Sequence, residues 1–147
     1  MSFDPVAEPD AYRRSLLTAL GDQDPAVVLA AGPGAARQLA ERAGSWLRIR
    51  PEPAEWSVQE CLAHLADSEL ITAARLRWIA SEEQPDIVGY DQDLWVSGMH
   101  QVDEDLETLL AAFEANRRWN LALWKRLPVA DRARYGIHAS AAPRASS

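Results

Sequence analysis

The sequence predicts an all-α fold, and three observations carry that reading. Apolar residues recur at helical spacing through most of positions 10–127. No segment shows the alternation of β-branched and polar residues that marks a half-buried strand. A complete capping-box pattern, Ser57 followed three residues later by Glu60, opens the longest periodic run.

Taken in order, a short helix is expected from about Asp10 to Leu20, with Tyr12, Leu16 and Leu20 on one side. Asp24-Pro25 has the form of a cap followed by proline at the first helical position, where the missing N–H costs nothing. Gly32-Pro33 has the same form, so the next helix is expected from there to about Ala43, ended by Gly44. Its apolar face is Ala36, Leu39, Ala40, Ala43 and Leu47. Pro51 and Pro53 then force extended backbone. The long helix follows, from Ser57 to about Glu82. Trp56 and Cys61 stand where a hydrophobic staple would have them. Val58, Cys61, Leu65, Thr72, Leu76 and Ile79 form its expected main stripe. Leu62, Leu70, Ile71 and Trp78 spread apolar surface around the rest of the cylinder. Residues 84–103 show no helical pattern and read as a packed loop, given Ile87, Val88, Tyr90, Trp95 and Met99. A last helix is expected from about Asp103 to Leu127. It has acids at its start and Lys125-Arg126 at its end, as the helix dipole favours. Three long amphipathic helices thus stand where a four-helix bundle needs four.

The chain has 147 residues, the size of one domain, which is expected over residues 1–138 with a disordered tail at 139–147. Its net charge of -7 argues against nucleic-acid binding, which draws most of its affinity from a basic surface. No apolar run approaches membrane-spanning length, and the first residues lack the basic and apolar regions of a secretory signal. A single cysteine, Cys61, excludes an internal disulfide and suits a reducing compartment, so a cytoplasmic location is expected.

Few residues offer chemistry. His64 lies at the edge of the long helix's stripe, near Ser68 and Arg75 on the helical wheel. Its plain reading is a histidine flanking the core, because metals take three or four ligands. His100 and His138 fall in loops without a histidine or cysteine partner at helical spacing. Arg117 and Asn120 lie within the stripe set by Phe113 and Trp124, and an inward charge needs a partner or an anionic ligand. They are the candidate substrate-binding residues. The acids Glu82, Glu83, Asp86, Asp91 and Asp93 lack calcium-loop spacing and read as a solvated surface. Cys61, next to Glu60, lacks the cationic neighbour of a reactive thiolate.

The run Glu55-Trp-Ser-Val-Gln-Glu-Cys-Leu-Ala-His-Leu-Ala-Asp-Ser-Glu69 resembles the second-helix signature of the DinB-like family: Trp-Ser, a Glu, then His-Leu-x-Asp-x-Glu. Tyr90-Asp-Gln-Asp-Leu-Trp95 resembles that family's inter-helix loop. Arg117 matches its third-helix arginine, and Gly136-Ile-His138 resembles the segment before its last helix. The resemblance implies an up-down-down-up four-helix bundle. It further implies a zinc or nickel ion held by three histidines, and an ancestry among metal-dependent thiol S-transferases or hydrolase-like enzymes, including bacillithiol- and mycothiol-dependent ones. A small thiol would then be a partner, activated as an anion at the metal. His64 occupies the place of one ligand. The other two belong to a His-x-x-x-His pair on the fourth helix, which this sequence lacks, so the metal site is expected to be incomplete and the last helix missing or truncated. The tail Ala139-Ser-Ala-Ala-Pro-Arg-Ala-Ser-Ser147 has the composition of GC-rich DNA read out of frame, which suggests a frameshift or late truncation. From a different class comes the alternative of a non-catalytic helical module that binds a partner or forms a homodimer through an open groove. A third alternative rebuilds the metal site at a dimer interface with His138 or the acidic loop.

Overall fold

The computed structural model describes residues 7–138. The elements are α1 (Pro9–Leu20), α2 (Pro25–Ala43), α3 (Val58–Ser81), β1 (Asp86–Ile87), α4 (Gln92–Gly98), α5 (Leu106–Arg126) and β2 (Ile137–His138). The all-α expectation holds. The three long helices α2, α3 and α5 pack on one another, α3 against α5 most extensively. The core between them is Ala36, Ala40, Leu62, Ala63, Leu109, Leu110 and Phe113. Alanines on α2 and α3 let the helix axes approach, while each buried leucine contributes roughly 2 kcal/mol by leaving water. The tail at 139–147, expected to be disordered, lies outside the described residues, and so does the segment on which the fate of a fourth helix turns.

The start of α3 is fixed as the sequence predicts. Ser57 accepts from the Glu60 amide at 3.3 Å and the Glu60 carboxylate accepts from the Ser57 amide at 2.8 Å. Arg50 then clasps Glu60 through both Nε and Nη2, bringing the extended segment before α3 back onto the cap.

Four expectations are corrected. First, Gly32-Pro33 does not start a helix. α2 runs unbroken from the Asp24 cap, and Pro33 is buried inside it. Proline there removes the donor for the Leu29 carbonyl one turn back, and Arg117 Nη1 from α5 donates to that carbonyl at 3.4 Å. A tertiary contact thus replaces the missing helical one. Second, the buried stripe of α3 is Gln59, Glu60, Leu62, Ala63, Glu69 and Ala73, whereas Cys61 and Leu65 are exposed. Apolar residues surround this cylinder, so the polar Gln59 and Glu69 decide the buried side through partners on α5 and the segment before it. Gln59 Nε2 donates to the Glu104 carbonyl at 3.0 Å, for example. Third, residues 84–103 are not a featureless loop. Asp91 caps the short helix α4 by accepting from the Leu94 amide at 3.0 Å, and Val96 seats it in the interior. Fourth, two short strands exist. β1 and β2 pair in parallel, Asp86 with Ile137 and Ile87 with His138. Gly136 makes this approach possible, because a Cβ there would lie 2.6 Å from Ile87 Cγ1 and 2.8 Å from the Pro85 carbonyl.

Candidate functional site

Two polar clusters sit on different sides of α3. The first surrounds His64. Trp56, held just ahead of the Ser57 cap, lays its ring against the imidazole with centroids 5.1 Å apart. One turn along the helix, Ser68 Oγ lies 3.4 Å from His64 Nε2 and 2.9 Å from the Tyr90 hydroxyl. Tyr90 is braced by Trp95 of α4, ring centroids 4.5 Å apart. The segment carrying it is tied to α3 at both ends, by Arg75 donating to the Val88 carbonyl at 2.8 Å and by Gln101 donating to Asp67. Burial pushes the His64 imidazole below its ordinary range, against the smaller opposing pull of Asp67 and Asp93. At neutral pH it is therefore an uncharged ring, able to accept one proton or offer one lone pair.

The β1–β2 pairing brings a second histidine to this segment. The His138 ring lies against Gly89, its Cε1 3.2 Å from where a Cβ on Gly89 would stand. His100 sits elsewhere, at the left-handed turn (φ 52°) that precedes residues 101–103. Among the described residues no three His, Cys, Asp or Glu side chains gather closely enough to hold a metal ion. The expected acidic group Glu82, Glu83, Asp86, Asp91 and Asp93 is exposed and makes no such site. The described donor set at His64 therefore does not fit a three-histidine metal centre.

The second cluster is built on Glu69. Five residues beyond His64, its side chain leaves α3 about 140° further round the helix. It points inward to Arg117 and Asn120 of α5. Arg117 Nη2 lies 2.7 Å from Glu69 Oε2, and Asn120 Nδ2 donates to Glu69 Oε1 at 2.8 Å. Asn120 Oδ1 accepts from Arg77 at 3.2 Å, and Arg77 stacks on Trp119 at 3.5 Å from the ring centroid. The structure thus joins Arg117 to Asn120 but not to His64. Sequence reasoning missed Glu69 as their partner. Its signal was its spacing from Leu62, Ala66 and Ala73, which puts a carboxylate on an apolar stripe.

Residues 29–146 match the model of the DinB superfamily. A protein of Oceanobacillus iheyensis, named as a candidate metal-dependent hydrolase, is 34% identical over 65 residues. That match covers 44% of this chain and 37% of the relative's length. Among solved structures, the fold matches YfiT from Bacillus subtilis with a TM-score of 0.73 at 26% identity, covering 79% of this chain and 67% of that one. YfiT is described as a probable metal-dependent hydrolase with an unusual four-helix bundle topology. Helix order, the motif around His64 and the match over most of the chain agree, and the chain belongs to the DinB superfamily.

Proposed function

We propose that this protein derives from metal-dependent thiol S-transferases or hydrolases of its superfamily and that its metal site is incomplete in this form. One observation carries the reading. His64 is held by contacts with Trp56 and Ser68, the latter also meeting Tyr90, yet no second and third ligand stand with it among the described residues. A single neutral imidazole binds zinc or nickel weakly, since affinity comes from closing the coordination shell. Calorimetric titration of the purified chain with zinc and with nickel tests this. The expected dissociation constant is no tighter than about 10 μM. A stoichiometric sub-micromolar site that His64→Ala removes would overturn the proposal.

A second reading, a non-catalytic module that self-associates or binds a partner, is favoured by the large apolar side chains left exposed on the two helices, Leu65, Leu70 and Trp78 on α3 and Trp119 and Trp124 on α5. A partner surface would cover some of them. Light scattering across a concentration series separates the readings: growth of the dimer with concentration supports this one, and a monodisperse monomer counts against it.

A further inference from the structure

Two apolar features are left uncovered among the described residues. The first is α1. Tyr12, Leu16 and Leu20 recur every fourth residue and so share one side of the helix, with Leu17 beside them. None of its residues is buried, and Leu16 and Leu17 stand 53% and 58% exposed. A helix of 12 residues is marginal in water by itself and gains stability by covering such a side. The second is a cavity of about 320 Å³ between the first half of α2 and the facing sides of α3 and α5. Leu29, Leu76, Leu121 and Trp124 make its apolar wall, and Leu29 and Trp124 are themselves exposed. No residue of α1 belongs to that lining. We propose that the chain forms a two-fold dimer in which α1 of each copy lies in the α2–α3–α5 cavity of the other.

Volume, tether and area support this occupant. An apolar cavity of roughly 150 Å³ takes one benzene-sized group, so two leucine side chains from α1 suit one about twice as large. The tether keeps α1 out of its own cavity. Gly21, at φ 59°, ends the helix, and its amide donates to the Leu17 carbonyl at 3.0 Å. Gln23 donates to the Leu20 carbonyl through its amide and its side chain, each at 3.3 Å. Asp24 then caps α2 by accepting from the Ala26 amide at 2.8 Å. These bonds hold the short connection in an arrangement that leaves α1 outside the lining, although Asp24 itself lines the cavity. A second copy meets no such restraint, and exchange of one element between identical chains closes on a two-fold axis. Area is sufficient as well. One side of a helix about 18 Å long and about 11 Å across offers roughly 300 Å². Two exchanged helices, with the surfaces they cover, bury on the order of 1,200 Å², the lower end of the range for stable interfaces.

The proposal rests on the self-association reading, and the two fail separately under test. Sedimentation velocity of the full chain across a concentration series should show a dimer with a dissociation constant on the order of 10 μM. Leu16→Asp with Leu17→Asp puts charge on a helix that buries nothing in the monomer, so the fold is kept while dimerisation weakens at least about tenfold. Leu76→Trp fills the cavity and should weaken it as much. Ala26→Trp does the same from α2 without touching α3, and circular dichroism confirms that each variant is folded. With Cys61 replaced by alanine, chains carrying Leu16→Cys are mixed with chains carrying Leu121→Cys and mildly oxidised. The mixed disulfide dimer should exceed both disulfides between like chains. A wild-type monomer at every concentration overturns the proposal together with the self-association reading. A dimer that the α1 and cavity variants leave unchanged overturns the proposal alone. So do like-chain disulfides in equal or greater yield. A chain carrying both cysteines that oxidises to a closed monomer, at concentrations where wild type is dimeric, also overturns it by placing α1 in its own cavity.

Discussion

The guanidinium of Arg117 donates to the carbonyl of Leu29, the one oxygen in α2 whose helical donor Pro33 has removed. The same side chain pairs with Glu69 on α3, so a single residue of α5 serves polar groups of both neighbouring helices. Truncating either member of the Arg117–Glu69 pair leaves a charge largely out of water. Glu69→Ala is expected to cost about 3 kcal/mol in urea-induced unfolding. Replacing both, as Glu69→Leu with Arg117→Met, should recover most of that loss, because packed hydrocarbon often substitutes for a buried ion pair. A loss in the double variant equal to the sum of the two single losses would show that the pair is not coupled.

The start of α3 should respond in a graded way. Ser57→Ala removes the acceptor for the Glu60 amide and is expected to lower stability by about 1–2 kcal/mol. Burial pushes the Glu60 carboxyl up, but hydrogen bonds from Arg50 and Ser57 prevail and hold it below the usual carboxylate range. Its contribution is therefore complete above the ordinary carboxylate pKa and disappears as pH falls through the lowered folded value. Wild type should lose this increment in acid denaturation, and Glu60→Gln should not show the corresponding step.

How far the sequence led depends on how local each determinant is. The Ser57–Glu60 box was legible because both partners lie within one turn. Gly32-Pro33 misled because the donor that makes Pro33 tolerable comes from Arg117, 84 positions later by residue number. The buried side of α3 was ambiguous on the helical wheel, since Leu65 and Leu70 look as fit for the core as Leu62 does. Glu69, with partners on another helix, made the choice. His64 was found through the motif around it, and Ser68 by its one-turn spacing. That Tyr90 would close onto Ser68 required α4, which has too few apolar residues to announce itself.

A change at Gly136 should be felt at a distance. In Gly136→Ala the added carbon must displace Ile87 or the Pro85 backbone, so the bridge between β1 and β2 is expected to open. The Ile137 amide, which donates to the Pro85 carbonyl at 2.9 Å, should lose its protection in hydrogen exchange. The cost to global stability should be only about 1–3 kcal/mol. Unchanged protection of Ile137 would show that the bridge accommodates a Cβ at position 136.

His64 gives a pH signature opposite to that of an ion-paired histidine. Because burial lowers its pKa, the unfolded chain takes up the proton first as pH falls below the ordinary imidazole range. Its contribution to stability is full above that range and declines between the unfolded pKa and the lowered folded one. Denaturation of wild type and His64→Gln at pH 7.5 and 5.5 should show a larger decline for wild type over that interval. A parallel decline in both would place the titrating group elsewhere.

The pairing of Asp86 with Ile137 closes a segment of about fifty residues that contains α4 and all of α5. Closing so long a segment is entropically costly for so few hydrogen bonds, and nothing repays it until α5 has already docked on α3. In the order of assembly the bridge therefore comes last, and in native fluctuations it belongs to the least protected cooperative unit. Tyr90 lies three residues beyond Ile87 of that bridge, but Arg75 and Gln101 tie its segment to α3 by bonds that do not involve β2. The bridge is thus a latch with its own opening equilibrium, one that can shift with temperature or denaturant well before the helices part, while the contact of Tyr90 with Ser68 persists.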